Sequence, residues 1–99
     1  MCGVVGIFSN NSNPVPGDDV IRKMADSIIH RGPDDEGIYS NADVALGFRR
    51  LSIIDLDSGH QPIHNEDKSI WTVLNGEIYN YKELRSSLIQ KGHTFYTND

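Results

Sequence analysis

A second cysteine is missing from this chain of 99 residues; Cys2 stands alone. That excludes an internal disulfide framework and suits a reducing cytoplasm. No apolar run approaches the roughly 20 residues that a membrane span needs. The stretch GVVGIF at 3–8 is short and has no basic flank, so it is not a secretory signal core. Positive charge is also scarce. Nine Lys and Arg stand against fourteen Asp and Glu, for a net charge of −5, and they form no long basic stripe. This argues against a nucleic-acid partner. There is no internal repeat, no G-x-S-x-G elbow and no Walker loop, so these residues carry no ATP site. What is present, 37% hydrophobic and 23% charged residues, is enough for one small globular domain and not for two.

The local pattern predicts mostly strands. Residues Gly3 to Ser9 are rich in Val, Ile and Phe, as in a strand buried on both faces. After a turn-rich loop at 10–17, Asp18 reads as an N-cap. Val20, Ile21, Met24 and Ile28 then repeat at helical spacing until Arg31-Gly32-Pro33 stops the helix near His30. Residues 36–40 and 43–49 read as two strands around a turn at Asn41 and Ala42. A short extended segment at Ser52–Ile54 precedes a loop from Asp55 to Asp67. Ser69 to Leu74 is the clearest strand, and Asn75-Gly76 alone reads as a hairpin turn. Tyr81 to Lys91 is a helix closed by Gly92, and Thr94 to Thr97 a last strand. Short connections favour antiparallel sheets with helices laid on them, an α+β fold. The end at Thr97-Asn98-Asp99, directly after this strand, reads as a piece cut from something longer.

The chemistry begins at Cys2. Removal of Met1 would put a thiol and a free α-amine on one residue, a nucleophile beside its own proton acceptor. A free thiol is only a few per cent thiolate at neutral pH, and a partly neutral α-amine can take its proton directly or through a water. If Met1 stays attached, the nitrogen is an amide and that base is gone. Position alone does not distinguish this cysteine from a small hydrophobe.

Other patterns fail. His60 and His64 are four apart, but Pro62 lies between them, so they are not two metal ligands on one helical face, and adding Glu66 or His93 builds no recognisable zinc site. Asp55-Leu56-Asp57-Ser58-Gly59 starts like a calcium loop, yet its Gly comes one position early and no Glu closes it. No metal site is expected.

Four segments occur in order: Met1-Cys2-Gly3, His30-Arg31-Gly32-Pro33-Asp34, Arg50-Leu51-Ser52-Ile53-Ile54-Asp55 and Asn75-Gly76-Glu77-Ile78-Tyr79-Asn80, with Gly59-His60-Gln61-Pro62 between the last two. Together they resemble the glutaminase domain of glutamine-hydrolysing asparagine synthetases, class II glutamine amidotransferases within the N-terminal-nucleophile hydrolases. The resemblance runs from Cys2 to Asp99. It implies a four-layer α/β/β/α sandwich with two antiparallel sheets, of which residues 1–99 are the N-terminal portion. Such a piece would leave strand edges and an apolar face uncovered.

The resemblance also implies roles. Cys2 attacks the glutamine side-chain amide to give a γ-glutamyl thioester and ammonia, and the α-amine serves as base and then acid. The Asn75 side chain and the Gly76 backbone N–H form the oxyanion hole. Arg50 holds the α-carboxylate, for which its planar fork is suited, while neighbouring Arg49 is a surface or salt-bridging residue. Leu51, Ser52, Ile53 and Ile54 line the pocket largely through backbone atoms, and Glu77 and Asp99 receive the α-ammonium. His30–Asp34 is a structural corner. ATP and Mg are expected only in an absent C-terminal synthetase domain that amidates aspartate, the partner of this one; glutamine is the small-molecule substrate. The chain is expected to be cytoplasmic, without nucleic-acid or membrane partners, and a homodimer is left open. Two alternatives stand: an amidotransferase for a different carboxylate, or a truncated binding module without catalysis.

Overall fold

In the computed structural model residues 2–10, 14–51 and 60–97 are described. Strand β1 (Gly3–Phe8) is followed by helix α1 (Asp18–Asp26), a 3₁₀ turn (Ile29–Arg31), and strands β2 (Asp35–Ser40) and β3 (Val44–Arg50). Strands β4 (Ile63–His64) and β5 (Trp71–Thr72) and helix α2 (Tyr81–Gln90) follow.

Two antiparallel sheets result, one ordered β1-β3-β2 and the other β4-β5. Asn41 sets the β2–β3 turn, its side-chain oxygen accepting from the N–H groups of Asp43 (2.8 Å) and Val44 (3.0 Å). The registers Gly3↔Arg49 and Glu36↔Arg49 place alternate residues on opposite faces. On one face, α1 lays Ile21 and Ala25, four apart and both fully buried, against the sheet. Ala45 of β3 joins them there, while the buried Phe48 takes the opposite face of the sheet, in register with Gly37. Full burial of a side chain the size of Ile21 is worth about 1.5–3 kcal/mol. On the other face, Tyr39 of β2 stacks on Trp71 of β5 at 4.0 Å, which lays the small sheet over the large one. His64 and Tyr96 extend the stack (4.5 Å). Among the described residues the fold is thus a small α+β arrangement with two antiparallel sheets and two α-helices.

Several local expectations change. Strand β1 is an edge strand with α1 on one face only, so Val4 and Phe8 (82%) are exposed rather than buried. The N-cap of α1 is Gly17; Asp18 is already helical and its carboxylate accepts from the Ser40 hydroxyl. The helix stops at Asp26, where Ser27 Oγ donates back to the Met24 carbonyl (2.6 Å) and the chain tightens into turns. Strand β4 lies within the expected loop 55–67, and the expected strand Ser69–Leu74 contracts to Trp71–Thr72. The Ile70 carbonyl still accepts from the Asn65 N–H (3.1 Å), but other outer backbone groups bond to side chains: Ser69 N–H to Asp67, Ile70 N–H to Asn65, and both groups of Leu74 to Gln61. Thr94–Thr97 is not a strand. Thr94 N–H donates to Glu66 (3.3 Å) and Arg85 donates to the Thr97 carbonyl (2.7 Å), so side chains take the place of a ladder. Helix α2 ends as expected, with Gly92 at φ 97°, His93 N–H bonded to Leu88 O and Gly92 N–H to Ile89 O. The segment Ser52–Ile54 and the calcium-like loop lie outside the described residues.

Candidate active site

Strands β1 and β3 are antiparallel and Gly3 faces Arg49, so Cys2 and Arg50 meet at the same end of the large sheet. Strand alternation separates the two adjacent arginines. Arg49 points to the α1 face, where it is 5% exposed; its Nε–H donates to the Gly32 carbonyl (2.9 Å) and Nη1 to Glu36 (2.7 Å). The expectation of a surface residue is therefore wrong for Arg49, while that of a salt-bridging one holds. Arg50 takes the opposite face, the one covered by the small sheet, and its Nη1 is shielded from solvent.

The corner His30–Asp34 holds this strand end in place. Asp34 N–H donates to the Arg50 carbonyl (3.0 Å), Pro33 bridges Arg50, and Gly32 lies flat on the Arg49–Arg50 peptide. A Cβ on Gly32 would come within 2.5 Å of the Arg49 oxygen and the Arg50 nitrogen, so only glycine fits. His30 is exposed on the 3₁₀ turn.

Around Cys2 the polar geometry is specific. The Leu51 N–H donates to Sγ (3.4 Å), and the thiol faces the Leu51 carbonyl (3.8 Å). From across the chain Asn75 Nδ2 donates to the Cys2 carbonyl (3.0 Å). An amide nitrogen carries two hydrogens, so this bond uses one of them. Asn75-Gly76 is not a hairpin turn: it lies in the link from β5 to α2, and neither residue has the positive φ that such a turn requires. Glu77 follows, exposed, in the same link. Cys2, Arg50, Leu51 and Asn75 are thus brought together, with Gly76 and Glu77 on the segment that Asn75 anchors. Ser52, Ile53, Ile54 and Asp99 lie outside the described residues.

The histidines are engaged elsewhere. His60 Nδ1 lies 2.6 Å from Asp35, His93 Nδ1 lies 2.9 Å from Glu66, and His64 stacks on Tyr96 and meets Trp71 at a tilt of 55°. Among the described residues no group of His, Cys, Asp and Glu could hold a metal ion, and no helix is long and apolar enough to cross a membrane.

Residues 1–99 match the sequence profile of the glutamine amidotransferase domain. The chain belongs to this family. Among its relatives are two from Bacillus subtilis (strain 168). One is "Asparagine synthetase [glutamine-hydrolyzing] 1", 47% identical over 99% of this chain and 16% of the relative. The other is "Asparagine synthetase [glutamine-hydrolyzing] 2", 49% identical over 98% of this chain and 13% of the relative. A Brassica oleracea protein, "Asparagine synthetase [glutamine-hydrolyzing]", is 44% identical over 98% of this chain and 16% of its own length. This glutamine amidotransferase chain therefore spans less than a fifth of these relatives. Gln61 lies within the Gly59-His60-Gln61-Pro62 segment and Leu74 directly precedes Asn75-Gly76, but motif order carries no signal of the contact between them.

Proposed function

We propose that this chain is the N-terminal portion of a glutaminase domain in which Cys2, freed of Met1, is the nucleophile. The observation that carries the reading is the convergence at one sheet end: Leu51 N–H on the Cys2 sulfur (3.4 Å) and the Asn75 amide on the Cys2 carbonyl (3.0 Å), with Arg50 on the adjoining strand. The α-amine takes the thiol proton, and the sulfur adds to the side-chain carbonyl carbon of glutamine. The negative oxygen of the tetrahedral adduct accepts from the second N–H of Asn75 and from the Gly76 N–H. The α-ammonium then returns the proton to the leaving nitrogen as the C–N bond breaks, giving ammonia and a γ-glutamyl thioester. Water cleaves the thioester to glutamate and the free thiol.

The Arg50 guanidinium takes the substrate α-carboxylate as a planar fork, and Glu77 and Asp99 take the α-ammonium. Charged anchors at both ends of one amino acid select glutamine over neutral amides. Leu51 to Ile54 line the pocket between them. The relatives' names, which join glutamine hydrolysis to asparagine synthesis, support delivery of the ammonia to a synthetase domain farther along the chain. There ATP and Mg would activate the aspartate carboxylate.

The test is made on the full-length protein. Intact mass should show loss of Met1, and a glutamine analogue bearing an electrophilic ketone should add once, at Cys2. Cys2→Ser should lower glutamine hydrolysis by at least about 10³-fold while ammonia-driven synthesis persists. Undiminished glutamine hydrolysis in that variant would remove Cys2 from the mechanism.

A further inference from the structure

The small sheet should continue one pair beyond its last strand bond. The register Ile63↔Thr72 and His64↔Trp71 places Gln61 directly across from Leu74. Backbone pairing stops short of that position, because the Gln61 carbonyl is turned onto β2, where it lies against Gly37. The Gln61 side chain takes over. Its Nε2–H donates to the Leu74 carbonyl (3.0 Å), and the Leu74 N–H donates to its Oε1 (2.7 Å). One primary amide thus reproduces both bonds of an antiparallel pair, and only Gln or Asn carries a donor and an acceptor so placed. Leu74 immediately precedes Asn75, which donates to the Cys2 carbonyl.

We infer that Gln61 is a positioning residue for the oxyanion hole: its amide fixes Leu74 so that the Asn75 side chain and the Gly76 N–H meet the oxygen of the tetrahedral adduct. The inference rests on the reading of Asn75 and Gly76 given above. Donors aimed at charge that develops only in the transition state affect turnover more than ground-state binding. Both hydrogen bonds given for the Gln61 amide run to the Leu74 backbone.

The experiment compares Gln61→Met, which removes both bonds at similar volume, with Gln61→Glu, which keeps the acceptor for Leu74 N–H. Both are made in the full-length protein, with active sites counted by the ketone analogue so that unfolded molecules do not enter the rate. Per labelled site, kcat for glutamine hydrolysis should fall about 10- to 100-fold in Gln61→Met, with KM changed less than about twofold. Gln61→Glu should recover part of the loss as pH is lowered relative to the parent, because a protonated carboxyl regains a donor for the Leu74 carbonyl. In an Asn75→Ala background the Gln61→Met change should add little, since both act on one element. Unchanged kcat per labelled site, a rise in KM alone, or full additivity with Asn75→Ala would overturn the inference. Cys2→Ala separates the two levels. If it still hydrolyses glutamine, the glutaminase reading itself fails; if it is inactive while the Gln61 variants match the parent, only the role of Gln61 fails.

Discussion

The two halves of the molecule hold their shape by different means. Among the described residues, the sheet β1-β3-β2 with α1 contains the buried hydrophobic side chains Ile21, Ala25, Ala45 and Phe48. From His60 to Thr97, among the described residues, only Pro62 is buried, no residue of α2 is, and Tyr79 is 93% exposed. That second half is fastened by discrete contacts: Gln61 to Leu74, Asn75 to Cys2, the Tyr96 hydroxyl to the His64 N–H (3.1 Å), and Trp71 on Tyr39. The candidate site straddles this division. The proposed nucleophile Cys2 and carboxylate anchor Arg50 stand on the packed half, and the proposed oxyanion donors Asn75 and Gly76 stand on the fastened half. Packing spreads the cost of a change over many small contacts. A clamp of two hydrogen bonds fails as a unit, which is why a single side chain such as Gln61 can govern where Asn75 sits.

The largest predicted effect breaks the joint between the halves. In β2, Gly37 lets the Gln61 carbonyl and the Pro62 ring rest on the strand; a Cβ there would overlap the Gln61 oxygen and lie 2.7 Å from its carbonyl carbon. Backbone cannot yield as a flexible side chain can, so Gly37→Ala should cost about 3 kcal/mol. Hydrogen exchange on the full-length protein should quicken over residues 60–75, and glutamine hydrolysis should fall with it. Exchange confined to β2 and β3 would show that the two halves are not joined at this point.

The packed half has its own weak point in one buried charge. Arg49 ties β3 to the Gly32 corner and to Glu36, which also meets the exposed Arg22 (3.0 Å). Arg49→Met would leave the Gly32 carbonyl without its donor and Glu36 with only the surface partner, which alone is worth at most about 1 kcal/mol. A loss of about 2–3 kcal/mol is expected. It should appear as exchange of β2 and β3 amides roughly 100-fold faster, with residues 81–97 unchanged. Equal acceleration in α2 would erase the distinction between the halves.

How far the sequence could be read follows the same division. In the packed half, apolar period and turn chemistry locate β1, α1, β2 and β3 to within a few residues, because burial against one sheet imposes those periods. In the fastened half, β-propensity over Ser69–Leu74 predicts six strand residues where two form, since Asn65, Asp67 and Gln61 side chains claim the flanking backbone groups. Local preference does not register such competition. Cys2, Arg50 and Asn75 were identified by the order of short motifs, and the register explains their meeting: Gly3 opposite Arg49 brings Cys2 to Arg50. The burial of Arg49 was not legible, because which arginine faces α1 depends on strand alternation relative to that helix. Nor was the role of Gln61, because its partner Leu74 lies 13 positions away and is reached by a side chain rather than by the strand ladder.

The smallest effect concerns the far edge of the fastened half. Glu66 accepts from the Thr94 N–H (3.3 Å) and lies 2.9 Å from His93 Nδ1, connecting the β4–β5 loop to the segment after α2. Its own backbone N–H, then His93, then the Thr94 N–H hold its carboxyl below the ordinary value of 4.5. A carboxyl whose folded pKa is lowered favours the folded state above its unfolded value. That contribution is complete above about pH 4.5 and is lost as pH falls through the lowered folded value. Because the pair is solvated, its effect is local and screened by salt. Glu66→Gln retains an acceptor for Thr94 but not the charge. Exchange at 93–97 should therefore quicken less than about fivefold at neutral pH, and the difference from the parent should vanish on acidification and in 1 M salt. A larger effect, or one that persists in acid, would mean that the end of the chain is held here by packing after all, and the contrast between the halves would lose its outermost example.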